Sequence, residues 1–247
     1  MKLDVLAIGP HPDDVELACG GTLAQLAAAG RKTGILHLTR GEAGTRGSEA
    51  ERIEEAQRAG SALGVEVVDF LDCGDGALRM GREEEDALIE RIRFYRPDML
   101  LGPPPRDRHP DHRRSHKLVE AAAFYAGLAG LSTGTEARVE PHRPAAVFHY
   151  MQHDTFEPRF IIDVTSTWNT KLEALAAYKS QLHQTGTDSE ARDEPLTKIA
   201  SREFREAVEG RARHFGMLIG AEFGEPFGSR QPVAVSDPWH LLPGGLR

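Results

Sequence analysis

Two short stretches carry residue types that act together on a metal and on a proton. They are His11-Pro12-Asp13-Asp14 and, near the middle of the chain, Asp107-Arg108-His109-Pro110-Asp111-His112. Each sets imidazole beside carboxylate. Two histidines and one carboxylate make the nitrogen and oxygen set that zinc takes, with a fourth position left open when the site is catalytic. A lone His-Pro-Asp turn has an ordinary alternative, because an aspartate at a helix start satisfies free backbone N–H groups. Two such turns, each after a strand, are harder to explain as caps. His116 competes for the ligand role, since His112 and His116 lie four apart and so share one helical face. His37, His142, His149, His153, His183, His214 and His240 have no comparable neighbours.

The elements that must hold these stretches are legible in the alternation of apolar runs. Val5-Leu6-Ala7-Ile8 runs without a polar break to Gly9-Pro10, the pattern of a parallel strand buried on both faces. Helical spacing over 13–30 follows, then a strand at 34–38. Ser48 with Glu51 three residues on is a capping-box pattern that opens a helix to about Gly64. A strand at 65–70, a helix at 83–95, a strand at 98–102 and a helix at 110–129 come next, then strands at 145–150 and 160–164. Residues 166–181 and 201–218 read as helices, the polar 184–195 as a loop, and the Gly- and Pro-rich tail from Glu222 as extended surface chain. This alternation predicts an α/β fold: one Rossmann-like three-layer sandwich over 1–247, with a mostly parallel sheet and right-handed crossovers. Ligands in such folds bind just past the carboxyl ends of the strands. Both His-Pro-Asp stretches fall there.

Composition narrows the function classes. The chain has 247 residues, 40% apolar, with a net charge of −8, a balance that argues against nucleic acid or an anionic membrane as partner. Cys19 and Cys73 form no disulfide framework, and Cys19 reads as core. In Cys19-Gly20-Gly21-Thr22 the glycines read as permitting close packing. No apolar run approaches the roughly 20 residues of a membrane helix. Met1-Lys2-Leu3-Asp4 does not open a secretory signal, so a cytoplasmic protein is expected. There is no H-E-x-x-H, G-x-S-x-G elbow, Walker A loop or G-x-G-x-x-G.

Pro10-His11-Pro12-Asp13-Asp14 with His109-Pro110-Asp111-His112 resembles the PIG-L (LmbE-like) family of zinc N-deacetylases. The likeness extends through Thr39-Arg40-Gly41-Glu42-Ala43-Gly44-Thr45-Arg46-Gly47-Ser48 and Arg52, then Asp107-Arg108-His109, Phe160-Ile161-Ile162-Asp163-Val164 and Lys179-Ser180-Gln181. Pro103-Pro104-Pro105 departs from it, where bulkier or aromatic residues are expected at the pocket rim. Within the family the chain looks most like the bacillithiol-pathway deacetylases of N-acetylglucosaminyl malate. Mycothiol-pathway and chitooligosaccharide deacetylases are less similar in the Gly-Thr-Arg-Gly loop.

The resemblance implies one zinc ion, with iron(II) as the cellular alternative, held by His11, Asp14 and His112. Zinc lowers the pKa of bound water from 15.7 to about 7, and Asp13 would take the proton as that water attacks the acetyl carbonyl. His109 would help stabilise the oxyanion, and Asp111 would orient an imidazole. Either Asp13 or His109 would protonate the leaving amine. The substrate implied is a small aminosugar conjugate, and the assembly a homo-oligomer, trimer or hexamer. A malate aglycone calls for arginine, whose planar fork binds carboxylate in two places; Arg52 and Arg46 are the expected contacts. Two other readings stay open. One is a sugar- or nucleotide-binding module with structural histidines; the other is a metallo-phosphoesterase, which needs a two-metal cluster.

Overall fold

Strands that are apolar on both faces belong in the middle of a sheet covered by helices on both sides. The computed structural model describes residues 1–133, 139–182, 195 and 197–241. Along the chain come β1 (Val5–Gly9), α1 (Asp14–Ala28), β2 (Thr33–His37), α2 (Glu49–Leu63), β3 (Val67–Phe70), α3 (Arg82–Tyr95) and β4 (Met99–Gly102). Then follow α4 (Pro110–Tyr125), β5 (Ala146–Tyr150), β6 (Phe160–Asp163), α5 (Trp168–Ala176), α6 (Arg202–Leu218) and β7 (Gly224–Ser229). Every residue of β1 and β2 is buried.

The strands make one sheet in the order β3-β2-β1-β4-β5-β7-β6. β1 pairs parallel with β2 on one side and β4 on the other, so Val5 lies opposite both Thr33 and Met99. The chain winds outward through β2 and β3, then crosses back over β1 to begin its second half at β4. Where the winding reverses, the loops after β1 and β4 part and leave a crevice at the carboxyl edge. Those two loops carry the His-Pro-Asp stretches. One sheet face packs on α3 and α4 through Leu88, Ile89, Ile92, Leu118, Val119 and Ala122. The other packs on α1, α2 and α5 through Val15, Leu23, Ala56, Ala59, Leu63 and Ala174. The expected three-layer, mostly parallel α/β sandwich is borne out. Ser48 accepts from the Glu51 N–H and Ser201 from the Phe204 N–H, so both helix starts follow their caps.

The last third departs from expectation. Residues 224–229 are not surface tail: β7 inserts antiparallel between β5 and β6. Its Gly-Glu-Pro-Phe-Gly sequence hides the strand, since proline rarely sits inside a sheet. The site tolerates it because the Phe223 and Phe227 carbonyls accept from β6-side N–H groups, while Pro226 lies past the last β5 pairing, Tyr150 with Phe227. The helix expected over 166–181 ends at Ala176. Ser180 then turns back onto α2, donating its N–H and its hydroxyl to the Glu55 carboxylate at 2.7 and 2.6 Å. Apart from Pro195, the loop expected at 184–195 lies outside the described residues. Among the described residues no helix is long and apolar enough to cross a membrane.

Candidate metal centre

The turn after β1 is clamped from behind. His37 Nδ1 donates to the His11 carbonyl at 3.1 Å, and the Thr39 N–H and hydroxyl both donate to the Pro10 carbonyl. Burial holds the His37 ring neutral, with its pKa lowered to about 3. At the end of this turn Asp13 takes a left-handed conformation, φ 102° and ψ −27°, and Asp14 opens α1. After β4, His109 caps α4 by accepting the Asp111 N–H, Pro110 supplies the preset first turn, and His112 follows one position after Asp111.

The two turns bring together His11, Asp14 and His112, whose ligand-type atoms all lie within 4.8 Å of one another. Asp14 sits between the rings: Oδ2 is 3.0 Å from His11 Nδ1, and Oδ1 is 3.3 Å from His112 Nε2. Each ring has a second carboxylate behind it. His11 Nε2 faces Asp75 at 3.1 Å and Asp111 at 3.4 Å, and His112 Nδ1 faces Asp107 at 3.2 Å. Two further trios, His11 with His109 and Asp111 and Asp107 with His112 and His153, meet the same distance limit. They are made by these rear carboxylates. A carboxylate on the far nitrogen is what fixes the tautomer of a metal-binding imidazole and aims its lone pair forward. Burial would lower the pKa of both rings, but the surrounding carboxylates override it. His11 is held well above its ordinary value, and Asp14 and Asp107 push His112 up to about 9. So much negative charge behind two buried imidazoles, with donors converging on one point, suits a divalent cation.

Asp13 stands beside this set without joining it. Its Oδ2 is buried with no hydrogen-bond partner, and Arg52 Nη2 lies 3.5 Å away. Burial raises the Asp13 pKa to about 7 against the opposing pull of Arg52. A cleft of about 750 Å³ opens over the centre. It is lined by His11, Asp13, Asp14, Asp75, His109 and His112, and by Gln152, His153, Phe204 and Arg211 from later elements.

The PIG-L family pattern, described as GlcNAc-PI de-N-acetylase, matches residues 6–123, which span both turns. The diacetylchitobiose deacetylase of Thermococcus kodakarensis is 35% identical over 188 residues, covering 72% of this chain and 69% of that protein. The chain belongs to the PIG-L family. Two solved structures extend the match beyond the motif region. A conserved protein of Thermus thermophilus superimposes with a TM-score of 0.83 at 35% identity, covering 96% of this chain and 98% of that one. The N,N'-diacetylchitobiose deacetylase of Pyrococcus horikoshii, solved with an inhibitor, gives 0.76 at 26% identity over 97% and 86% of the two chains. The protein is thus a PIG-L N-deacetylase, a hydrolase of amide C–N bonds.

In this PIG-L enzyme the two arginines sit otherwise than expected, and Asp111 stands behind an imidazole. Arg52 lines the cleft, but its guanidinium donates to the Pro12 and Gly41 carbonyls and faces Asp13. Gly41, at φ +73°, folds over it so closely that a Cβ there would collide with the guanidinium. Arg52 therefore holds Asp13 rather than a substrate carboxylate. Arg46 is not among the cleft-lining residues: its Nε donates to the Ser180 carbonyl, and its own carbonyl accepts from Gln181. Asp111, with 0% of its surface exposed, cannot touch substrate. It accepts from the Gly76 and Leu78 N–H groups and backs His11, a positioning role. His116 points away from the centre, with Nδ1 on the Pro103 carbonyl and its ring against His149. Pro105 lines a separate pocket with His116 and His149 rather than the rim of this cleft.

Asp75, Gln152 and His153 escaped the sequence reading. Gln152 Nε2 donates to Asp14 Oδ1 at 2.6 Å, and the His153 N–H donates to Asp107. The signal was position: Gln152 and His153 come directly after β5, at the same carboxyl edge as the two motifs.

Proposed function

We propose that the enzyme is zinc-dependent and hydrolyses the acetamido group of an N-acetylglucosaminide. The observation that carries the reading is the convergence of His11, Asp14 and His112 beside Asp13 Oδ2, which accepts no hydrogen bond and faces Arg52. The description of the family pattern and the names of the relatives support the sugar. Zinc, or iron(II) in the cell, held by His11, Asp14 and His112 would supply Lewis acidity, acidifying water and polarising the acetyl carbonyl.

The chain's own residues do the rest. Asp13, with a pKa near 7, is matched to general-base work at neutral pH and takes the proton of the attacking water. Burial lowers the pKa of His109, which keeps its ring neutral. Its Nδ1 accepts the Asp111 N–H, so the ring proton sits on Nε2 and can be donated to the oxyanion. As the C–N bond breaks, Asp13 returns its newly gained proton to the departing amine. Acetate and the free aminosugar leave. The malate conjugate expected from the sequence loses both arginines assigned to it, since Arg46 and Arg52 are engaged by the protein. A homo-oligomer, trimer or hexamer, remains part of this reading.

The test is metal analysis joined to an amine-release assay on diacetylchitobiose and N-acetylglucosaminyl malate. We expect about one ion per chain, activity abolished by a chelator and restored by zinc. A metal-loaded enzyme that frees no amine from any N-acetylglucosaminide sinks the proposal.

A further inference from the structure

Helix α6 turns Phe204, Ala207, Val208 and Arg211 into the cleft, a stripe at spacings of three and four. Three of these are apolar or small; the fourth ends the stripe in a guanidinium. Arg211 is half-buried and keeps part of its surface open to the cleft; burial lowers its pKa, and Glu225 and Asp107 act on it only at longer range. Its single hydrogen bond among the described residues runs from Nη1 to the Gln152 carbonyl. Among the same residues no carboxylate lies within ion-pair distance of it.

The buried arginines Arg93 and Arg52 are answered by the protein. Arg93 donates to the carbonyls of Ala126, Leu131 and Leu128. Arg52 has two carbonyls and Asp13. A guanidinium offers five N–H donors in a planar fork, and a single hydrogen bond to the Gln152 carbonyl leaves most of them available to a ligand. Arg211 therefore presents unmet donors to the cleft. Arg108 lines the same cleft, its Nη2 3.2 Å from His153 Nε2, also with no acid partner among the described residues. Gln152 ties this wall to the metal centre: its carbonyl receives Arg211 while its side chain donates to Asp14.

We propose that Arg211 and Arg108 form a subsite for an anionic oxygen group, carboxylate or phosphate, on the part of the substrate joined to the aminosugar. The proposal rests on the deacetylase reading above. Only one residue separates the subsite from a metal ligand, so it suits a compact acidic conjugate. A neutral disaccharide would leave both arginines unpaired.

The test is kcat/KM for the wild type, Arg211→Ala, Arg211→Lys and Arg108→Ala on three substrates. These are N-acetylglucosaminyl malate, N-acetylglucosamine 1-phosphate and neutral diacetylchitobiose. The wild type should prefer at least one anionic substrate, and which one identifies the group recognised. Arg211→Ala should lose about 10- to 100-fold on that substrate, mainly in KM, and under about threefold on diacetylchitobiose. Arg211→Lys should recover part of the loss, because lysine keeps the charge without the fork. KM for the anionic substrate should rise with salt. Should Arg211→Ala unfold, Arg108→Ala, on an exposed side chain, should give the same split between charged and neutral substrates. Equal losses on both kinds would reduce Arg211 to a support for Gln152 and overturn the subsite, as would a wild type indifferent to charge. Release of no amine from any of the three by metal-loaded wild type would overturn the deacetylase reading, and the subsite with it.

Discussion

Asp13 adopts a backbone conformation that costs a non-glycine residue about 1–3 kcal/mol. It persists because the turn is fixed on every side: His37 and Thr39 hold its start, and Arg52 grips the Pro12 carbonyl and faces the Asp13 carboxylate. The conformation sets neighbouring aspartates apart, Asp14 among the converging donor atoms and Asp13 beside them. Asp13→Asn should therefore keep its metal, by elemental analysis, while kcat falls about 10²- to 10⁴-fold. Metal loss equal to that of Asp14→Asn would show the two roles are wrongly divided. Arg52 has a separate signature. Its positive charge lowers the Asp13 pKa against the effect of burial, so Arg52→Gln should raise that pKa. A base must be deprotonated to act, so the acid limb of the kcat/KM profile should move to higher pH. An unmoved limb would separate Arg52 from Asp13.

Helix α1 is continuous by sequence but broken in fact. Cys19, at φ −139° and ψ 23°, leaves the helical region, and the N–H groups of Gly21 and Thr22 turn to the Glu225 carboxylate on β7 at 3.0 and 2.7 Å. Lys171 of α5 completes the set, 2.6 Å from Glu225. Both are about 2% exposed. Breaking a buried pair by removing one partner costs about 3–5 kcal/mol. Lys171→Met and Glu225→Gln should each show that loss in urea unfolding, and the double variant less than their sum. Additive losses would mean the two groups are not coupled. No local pattern announces this break, since Cys19-Gly20-Gly21-Thr22 fits helical spacing and its partner lies some 200 residues on. The same limit explains what else the sequence hid. The inner strands were legible because both faces are buried, and Ser48 and Ser201 marked their helices. The His-Pro-Asp turns were legible because the imidazoles and carboxylates that converge are near neighbours in the chain. Asp75 and Gln152 reach the centre from two other loops that only the sheet order brings beside these turns. Arg52 and Arg46 were misjudged because their acceptors are largely backbone carbonyls, which no residue type advertises.

Without metal the centre is a charge cluster that depends on protons. The folded pKa of His112 is about 9, above the ordinary value of about 6.5, and that of His11 is also raised. Protonation then stabilises the fold fully below about pH 6.5, and the contribution is lost as pH rises through about 9. The metal-free protein should weaken across that window in urea titrations, while the loaded protein should not, because metal replaces the protons. Parallel curves would refute this. A ligand at a thousandfold excess over its Kd stabilises by about 4 kcal/mol. At roughly 2–4 °C per kcal/mol for a chain of this size, chelation should lower Tm by about 8–16 °C. A chelator that leaves Tm unchanged would remove metal from the account of stability. The placement of β7 bears on how the chain is made. β7, made after every other strand among the described residues, fills the slot between β5 and β6 and delivers Glu225 to the break in α1. About 60 residues separate β6 from β7, roughly 3–12 s of synthesis at 5–20 residues per second. Throughout that interval the nascent sheet holds an open seam in its interior, and α1 lacks the carboxylate that answers its break.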